Sequence, residues 1–114
     1  MEAELRIEDN EFIGVSVTGS VNIPDTVTRI GNHALKDQQI TGITIPDSVK
    51  SIGEAAFARC YALTSIVIPA SVEYVGDDAF LGCTSLVRIK VPKHFDAEAV
   101  ALWSLPDTCE IIRY

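Results

Sequence analysis

One long pattern occurs twice in this chain and limits how it can fold. Ile-Pro-x-Ser-Val-x-x-Ile-Gly-x-x-Ala-Phe-x-x-Cys spans residues 45–60 and again, with Val75 in place of the second Ile, residues 68–83. A degenerate copy begins at Ile23 and a truncated copy begins at Val91. A fixed period of roughly 20 to 50 residues indicates structural units that stack on one another.

A proline marks each period of the repeat. Pro24, Pro46, Pro69 and Pro92 are separated by 22, 23 and 23 residues. Apolar residues alternate before each proline, which predicts a strand whose apolar side chains face inward. The inward pairs are Ile43 with Ile45, Ile66 with Ile68, and Ile89 with Val91. Because proline has no amide hydrogen to donate, we expect it to end the strand.

The segment after each proline has its own fixed phases. A glycine recurs, followed by an alanine with a large residue, and then by a cysteine. The glycines are Gly31, Gly53 and Gly76, the pairs are Ala34-Leu35, Ala56-Phe57 and Ala79-Phe80, and the cysteines are Cys60 and Cys83. A glycine at one phase predicts either a positive φ or a close approach of backbone. One unit alone would leave the apolar edge exposed, so stacking is needed to bury it.

These residues resemble the BspA-like, or treponemal, subclass of leucine-rich repeats. The resemblance covers about residues 21–92. Its strand spacing Leu-x-x-Ile-x-Ile leads into the proline as Leu63-x-x-Ile66-x-Ile68, with variants over residues 40–45 and 86–91. It implies an α/β repeat solenoid, namely a short right-handed horseshoe with a parallel sheet on its concave side, and a non-enzymatic binding role. Many members of this family are bacterial surface or secreted proteins. The first copy departs from the pattern at Leu35 and Gln38, as terminal repeats commonly do.

The two ends of the chain are predicted to cap a single domain of residues 1–114. Residues 1–20 are expected to form a β-hairpin cap, with strands over 5–7 and 12–17, and residues 21–92 hold the repeats. Residues 93–114 are expected to form a helix-strand cap. In that cap Asp96 is the N-cap of a helix to about Trp103, and the last strand follows the turn at Pro106.

Composition excludes some classes of partner. The chain has 16 acidic and 9 basic residues, so its charge of −7 argues against binding nucleic acid. It lacks the apolar run of roughly 20 residues that membrane insertion needs. The acidic start, Met1 to Glu4, predicts no secretory signal in this chain. The compartment stays open, since a trimmed chain could come from a surface protein, and so does the oligomeric state.

The cysteines and histidines favour packing over chemistry. Cys60 and Cys83 lie one period apart, and adjacent strands are roughly 4.8 Å apart, so a disulfide is conceivable. Because the two cysteines occupy the same inward position of successive repeats, two buried free thiols are favoured instead. No Cys-x-x-Cys spacing suggests zinc. His33 is predicted to face solvent, His94 to lie in a loop, and Cys109 to pack in the C-terminal cap.

No cofactor, metal site or catalytic group is predicted. The acidic run at residues 8–11 lacks the ligand spacing and the glycine of an EF-hand calcium loop, so it is predicted to be a hairpin tip. Trp103 is predicted to plug the last coil rather than to serve as a ligand platform. An acid, a base and a nucleophile cannot be assembled from adjacent repeat phases.

The predicted function is binding of a protein or peptide on the concave sheet face. The residues expected to carry it are Thr44, Val67, Arg88 and Lys90, whose side chains point away from the core. Lys50, Glu73 and Tyr74 are expected on the opposite wall. The main alternative is a structural spacer or stalk within a larger bacterial surface protein, and an enzyme is the third.

Overall fold

Each repeat contributes one strand before its proline and one after it. A computed structural model describes residues 4–16 and 18–114. The elements are β1 (Glu4–Glu8), β2 (Glu11–Ser16), β3 (Thr18–Asn22), β4 (Arg29–Ile30), β5 (Gln39–Thr44), β6 (Ser51–Ile52), β7 (Ser65–Val67), β8 (Tyr74–Val75), β9 (Arg88–Val91), α1 (Ala97–Ala101) and β10 (Glu110–Arg113). The predicted repeat solenoid is confirmed. No helix of the described residues is long and apolar enough to cross a membrane.

The strands before the prolines, with β10, form one side of the solenoid, called here the sheet wall (β3, β5, β7, β9 and β10). β3 pairs in parallel with β5, and β9 pairs in parallel with both β7 and β10. No strand pairing joins β5 to β7. The expected parallel sheet is therefore present in two sections. Of its inward residues, Val21, Ile66 and Ile89 are buried and Ile43 is half-buried.

The segments after the prolines form a second ladder, called here the return wall (β1, β2, β4, β6 and β8). β4, β6 and β8 pair in parallel although each has only two residues. The antiparallel hairpin of β1 and β2 joins this wall, because β2 pairs in parallel with β4. Strands this short show no alternation, so the sequence did not predict the ladder. Val17, the predicted end of the hairpin, and residues 1–3 lie outside the described residues.

The repeated glycines lie where successive coils approach each other closely. A Cβ added to Gly76 would stand 2.4 Å from the backbone nitrogen of Glu54. Gly53 makes the same close approach to the preceding coil. The left-handed conformation falls two residues later, as at Asp78, whose φ is 59°. Close approach, rather than a positive φ, therefore explains glycine at this phase.

Large aromatic side chains stack along the centre of the solenoid. The rings of Phe57 and Phe80 are nearly parallel, with an interplanar angle of 3° and centroids 5.3 Å apart. Trp103 continues the column, tilted by 55° against Phe80 at 6.3 Å. All three side chains are buried, as are Ala56 and Ala79 beside them. The prediction that Trp103 plugs the last coil is confirmed.

The C-terminal segment continues the register of the repeat. β10 pairs in parallel with β9, and the Phe80 amide donates to the Trp103 carbonyl at 2.9 Å. The side chain of Asp96 accepts a hydrogen bond from the Ala99 amide at 2.8 Å and so caps α1. The helix was expected to run to about Trp103. It ends at Ala101, because the next two residues pair with the preceding coil.

A ladder of side-chain hydrogen bonds ties the corners of successive coils together. Each donor side chain bonds a backbone carbonyl of the previous coil, and the acceptor is always the buried valine three residues after the proline. The bonds join Ser48 to Val27, Ser71 to Val49 and His94 to Val72, at 2.7, 2.8 and 2.7 Å. Because a carbonyl accepts, Nε2 of His94 carries a proton. The sequence predicted a loop residue at His94, and its place in this ladder is new.

Two cysteines lie fully buried at one phase of adjacent coils. Cys60 and Cys83 are free thiols, as predicted. The Cys60 thiol donates to the Leu35 carbonyl at 3.1 Å, and the Cys83 thiol donates to the Phe57 carbonyl at 2.9 Å. The contact between the two thiols raises the pKa of Cys60, with burial adding to the rise, and lowers the pKa of Cys83. Because both thiols are fully buried and donate to backbone carbonyls, both serve as small packing groups.

Removing one ring of the aromatic column should cost much of the stability of the protein. We expect Phe57→Ala and Phe80→Ala each to lower the free energy of unfolding by about 3–5 kcal/mol, because each leaves a cavity between coils whose backbones are hydrogen-bonded. Urea unfolding followed by circular dichroism measures the loss. Leu102→Ala is the control, since Leu102 is exposed. Losses under about 1 kcal/mol for both phenylalanine variants would contradict the column.

The two buried thiols should react only after the protein unfolds. Cys109 is partly buried and provides an internal reference for accessibility. A chromogenic thiol reagent should modify at most Cys109 in the native protein and all 3 cysteines in denaturant. Fast native labelling of Cys60 or Cys83, or a mass that shows a bridge between them, would be incompatible with the packing described.

Candidate functional site

Each coil places one residue on the outer face of the sheet wall, at its centre. These residues form the central strip, which consists of Asn22, Thr44, Val67, Lys90 and Ile112. Ladder pairing places Asn22 beside Thr44 and Lys90 between Val67 and Ile112. The first four are exposed and Ile112 is half-buried. Val67 and Lys90 therefore lie side by side in one ladder, and Thr44 has the same repeat phase in the section formed by β3 and β5.

Arg88, the fourth predicted binding residue, lies in the neighbouring row of the sheet wall. Its Nε is 3.2 Å from Oε1 of Glu110 on the adjacent strand, and both side chains are exposed. Across the described residues, the ion pairs do not include Lys90. Lys90 is therefore a positive charge on this wall that no ion pair of the described residues compensates.

Tyr114 folds back across the end of the sheet wall. Its hydroxyl donates to the carbonyl of Ile68, the residue that follows β7, two coils away. The side chain stays partly exposed. Desolvation, and then the nearby carboxylate of Asp47, raise the pKa of the Tyr114 phenol above its ordinary value. The hydroxyl therefore remains a hydrogen-bond donor at neutral pH.

The folded-back tyrosine completes an open cavity on the sheet wall. Val67, Lys90, Ile112 and Tyr114 line this cavity of 360 Å³, and we call these four residues the C-terminal patch. Sequence reasoning found Val67 and Lys90 but missed Ile112 and Tyr114. Ile112 follows Lys90 by one period, so extending the strip into the last strand would have found it. The position of Tyr114 depends on a hydrogen bond that leaves no sequence signal.

The sheet wall is acidic at the corner of its first two coils. A cavity of 580 Å³ there is lined in part by Asp25 and Asp47, which follow the prolines of the first two coils. The equivalent residues of the next two coils are Ala70 and Lys93, and all four residues are exposed. The charge at this corner of the solenoid therefore changes from negative to positive along the stack.

The acidic run near the N-terminus is explained by a turn. Asp9 and Asn10 have φ values of 49° and 65°, as a tight two-residue hairpin loop requires. Glu11 pairs with Arg29 of the next coil at 3.3 Å. Within residues 4–16 and 18–114, no group of three or more His, Cys, Asp and Glu side chains could hold a metal ion.

The last coil leaves an apolar surface uncovered. Ile111 lies opposite Ile89 in the ladder, yet it is 43% exposed whereas Ile89 is fully buried. Together with Val100, Leu105 and Cys109 it lines an open cavity of 410 Å³. In an internal coil, the residue equivalent to Ile111 is covered by the coil that follows.

Comparison with known proteins identifies the repeat. A family model described as BspA type leucine rich repeat region (6 copies) matches residues 5–100. The chain is similar to a solved leucine-rich repeat protein from Bacteroides ovatus ATCC 8483, with 29% identity over 80% of this chain and a TM-score of 0.71. It is also similar to a leucine rich cell surface protein from Faecalibacterium prausnitzii A2-165, with 30% identity over 87% of this chain and a TM-score of 0.73.

The matched proteins are much longer than this chain. The alignments cover 23% of the Bacteroides chain and 26% of the Faecalibacterium chain. A search of curated proteins found no match. The family match covers most of the sequence, and the backbone of the solved relatives follows the same stack of coils. The chain therefore belongs to the BspA-type leucine-rich-repeat family.

Proposed function

We propose that this chain is a non-enzymatic interaction module that binds a protein or a peptide on its sheet wall. The C-terminal patch is the observation that carries the proposal. Val67, Ile112 and Tyr114 present apolar surface there beside the ammonium group of Lys90. Repeat solenoids bind through extended faces of this kind, and tyrosine is enriched at binding hot spots.

The arrangement of nucleophiles and bases supports binding rather than catalysis. Nucleophilic catalysis needs a base within hydrogen-bond reach of the nucleophile. The thiols of Cys60 and Cys83 instead donate to backbone carbonyls inside the core, and His94 bonds a carbonyl of the preceding coil. These groups hold the stack together.

A structural segment of a longer solenoid is the second candidate function. The exposed Ile111 at the end of the stack favours it, because an added coil would bury that side chain. The greater length of the solved relatives is consistent with such a segment. For the binding module we propose one domain over residues 1–114, in which residues 1–20 and 93–114 cap the repeats of residues 21–92.

Peptides that this chain selects from a random displayed library should bind the sheet wall. We expect Val67→Arg to weaken the selected peptides by about tenfold, or about 1.4 kcal/mol, because a charged side chain would enter the apolar part of the patch. Tyr74→Arg is the matched control, since Tyr74 is an equally prominent apolar residue of the return wall. Fluorescence anisotropy of labelled peptides measures the affinities.

The same experiment separates the candidate functions. Both substitutions are at exposed positions, so each should change the free energy of unfolding by less than about 0.5 kcal/mol. Weakening by Tyr74→Arg alone would place the site on the return wall and refute the proposal. Enrichment of no peptide over a bare support would favour the structural segment.

A further inference from the structure

We propose, building on the proposed function, that the C-terminal patch takes an apolar side chain flanked by a carboxylate. The partner is an extended peptide segment that carries a basic residue three to five positions from that carboxylate. Three features of the sheet wall carry this proposal: a preformed apolar cavity, an unpaired ammonium group at its edge, and two carboxylates at a fixed distance along the stack.

The apolar cavity is held in shape before any ligand arrives. The hydrogen bond from the Tyr114 hydroxyl to the Ile68 carbonyl fixes one side of it. Val67 and Ile112 lie on β7 and β10, the two strands that flank β9, and Lys90 of β9 lies between them, so their spacing is also fixed. A preorganised cavity of 360 Å³ accepts an apolar side chain with little loss of conformational entropy.

The charge beside the cavity favours a carboxylate. Glu110 compensates Arg88, which leaves Lys90 as the positive group that borders the cavity. Lys93, exposed at the adjacent corner, adds to the positive potential. Lys90 and Lys93 are therefore local positive charges on a chain of net charge −7. An exposed ion pair contributes at most about 1 kcal/mol, so we expect it to set orientation more than affinity.

The acidic end of the wall supplies the second charged contact. Asp47 lies two coils from Lys90, and Asp25 lies three coils away. Adjacent coils are about 4.8 Å apart, which gives about 10–15 Å along the stack. An extended chain covers that distance in roughly three to five residues at about 3.3 Å per residue. A basic side chain at this spacing would meet Asp25 or Asp47 while the apolar residue fills the cavity.

Two synthetic peptides of identical composition test the order of charges. One has the order Asp-Leu-Ser-Ser-Lys and the other Lys-Leu-Ser-Ser-Asp, both with blocked ends. Titrations followed by the methyl resonances of Val67 and Ile112 give the two dissociation constants. We expect the acid-first peptide to bind about fivefold more tightly, because only its carboxylate lies beside Lys90 when the leucine enters the cavity.

Charge reversal provides the decisive variant. Lys90→Glu should reverse the preference between the two peptides, whereas Lys50→Glu, an exposed lysine beside the return wall, should leave it unchanged. Equal affinities, a preference that survives Lys90→Glu, or no methyl shift with either peptide would overturn the inference. Methyl shifts that depend on protein concentration without peptide would mean that a second copy occupies the patch, which would also overturn it.

Failure of this inference differs from failure of the proposed function. Library peptides could still map to the sheet wall and weaken with Val67→Arg while the two synthetic peptides bind equally. The proposed pairing of a carboxylate with Lys90 would then be wrong, and the proposed binding of a peptide on the sheet wall would stand. If the library peptides also map elsewhere, the proposed function is wrong as well.

Discussion

Backbone hydrogen bonds between equivalent positions of successive coils hold this solenoid together. The Gly76 amide donates to the Ile52 carbonyl at 2.8 Å, and the Glu73 amide donates to the Lys50 carbonyl at the same distance. Such bonds bring the coils into backbone contact, which leaves no room for a Cβ on Gly76. They also place Phe57 and Phe80 within stacking distance. Each coil buries its apolar edge only through its neighbours, so the stack and the coils stabilise one another.

The same register arranges the surface. One outward residue per coil falls in the central strip, so the chemistry of the wall can change from coil to coil while the inward phases stay constant. Along the stack the wall changes from the carboxylates of Asp25 and Asp47 to the apolar and basic surface around Val67 and Lys90. Tyr114 encloses the last part. Binding specificity can therefore be set by the outward positions of each coil, which do not contribute to the packed core.

The positions that face the core could be predicted, because burial restricts them to apolar residues in the repeats. The stacking of Phe57 on Phe80 and the strand positions of the candidate site were therefore found from sequence. The ladder of β4, β6 and β8 could not be predicted, since two-residue strands carry no periodic signal. His94 occupies the position of Ser48 and Ser71 in the ladder of side-chain hydrogen bonds. A pattern of apolar residues does not show that a histidine can take the place of a serine there. The position of Tyr114 depends on the distance from the chain end to the Ile68 carbonyl, which only the folded stack determines.

The unfolding free energies of Gly76→Ala and Gly42→Ala, compared by urea denaturation, test most directly whether backbone contact sets the spacing of the coils. A Cβ on Gly76 would meet the Glu54 nitrogen at 2.4 Å, whereas the nearest atom to a Cβ on Gly42 is the Ser20 hydroxyl oxygen at 3.9 Å. We predict a loss of about 1–3 kcal/mol for Gly76→Ala and a change under about 0.5 kcal/mol for Gly42→Ala. Small and equal changes in both variants would contradict this account.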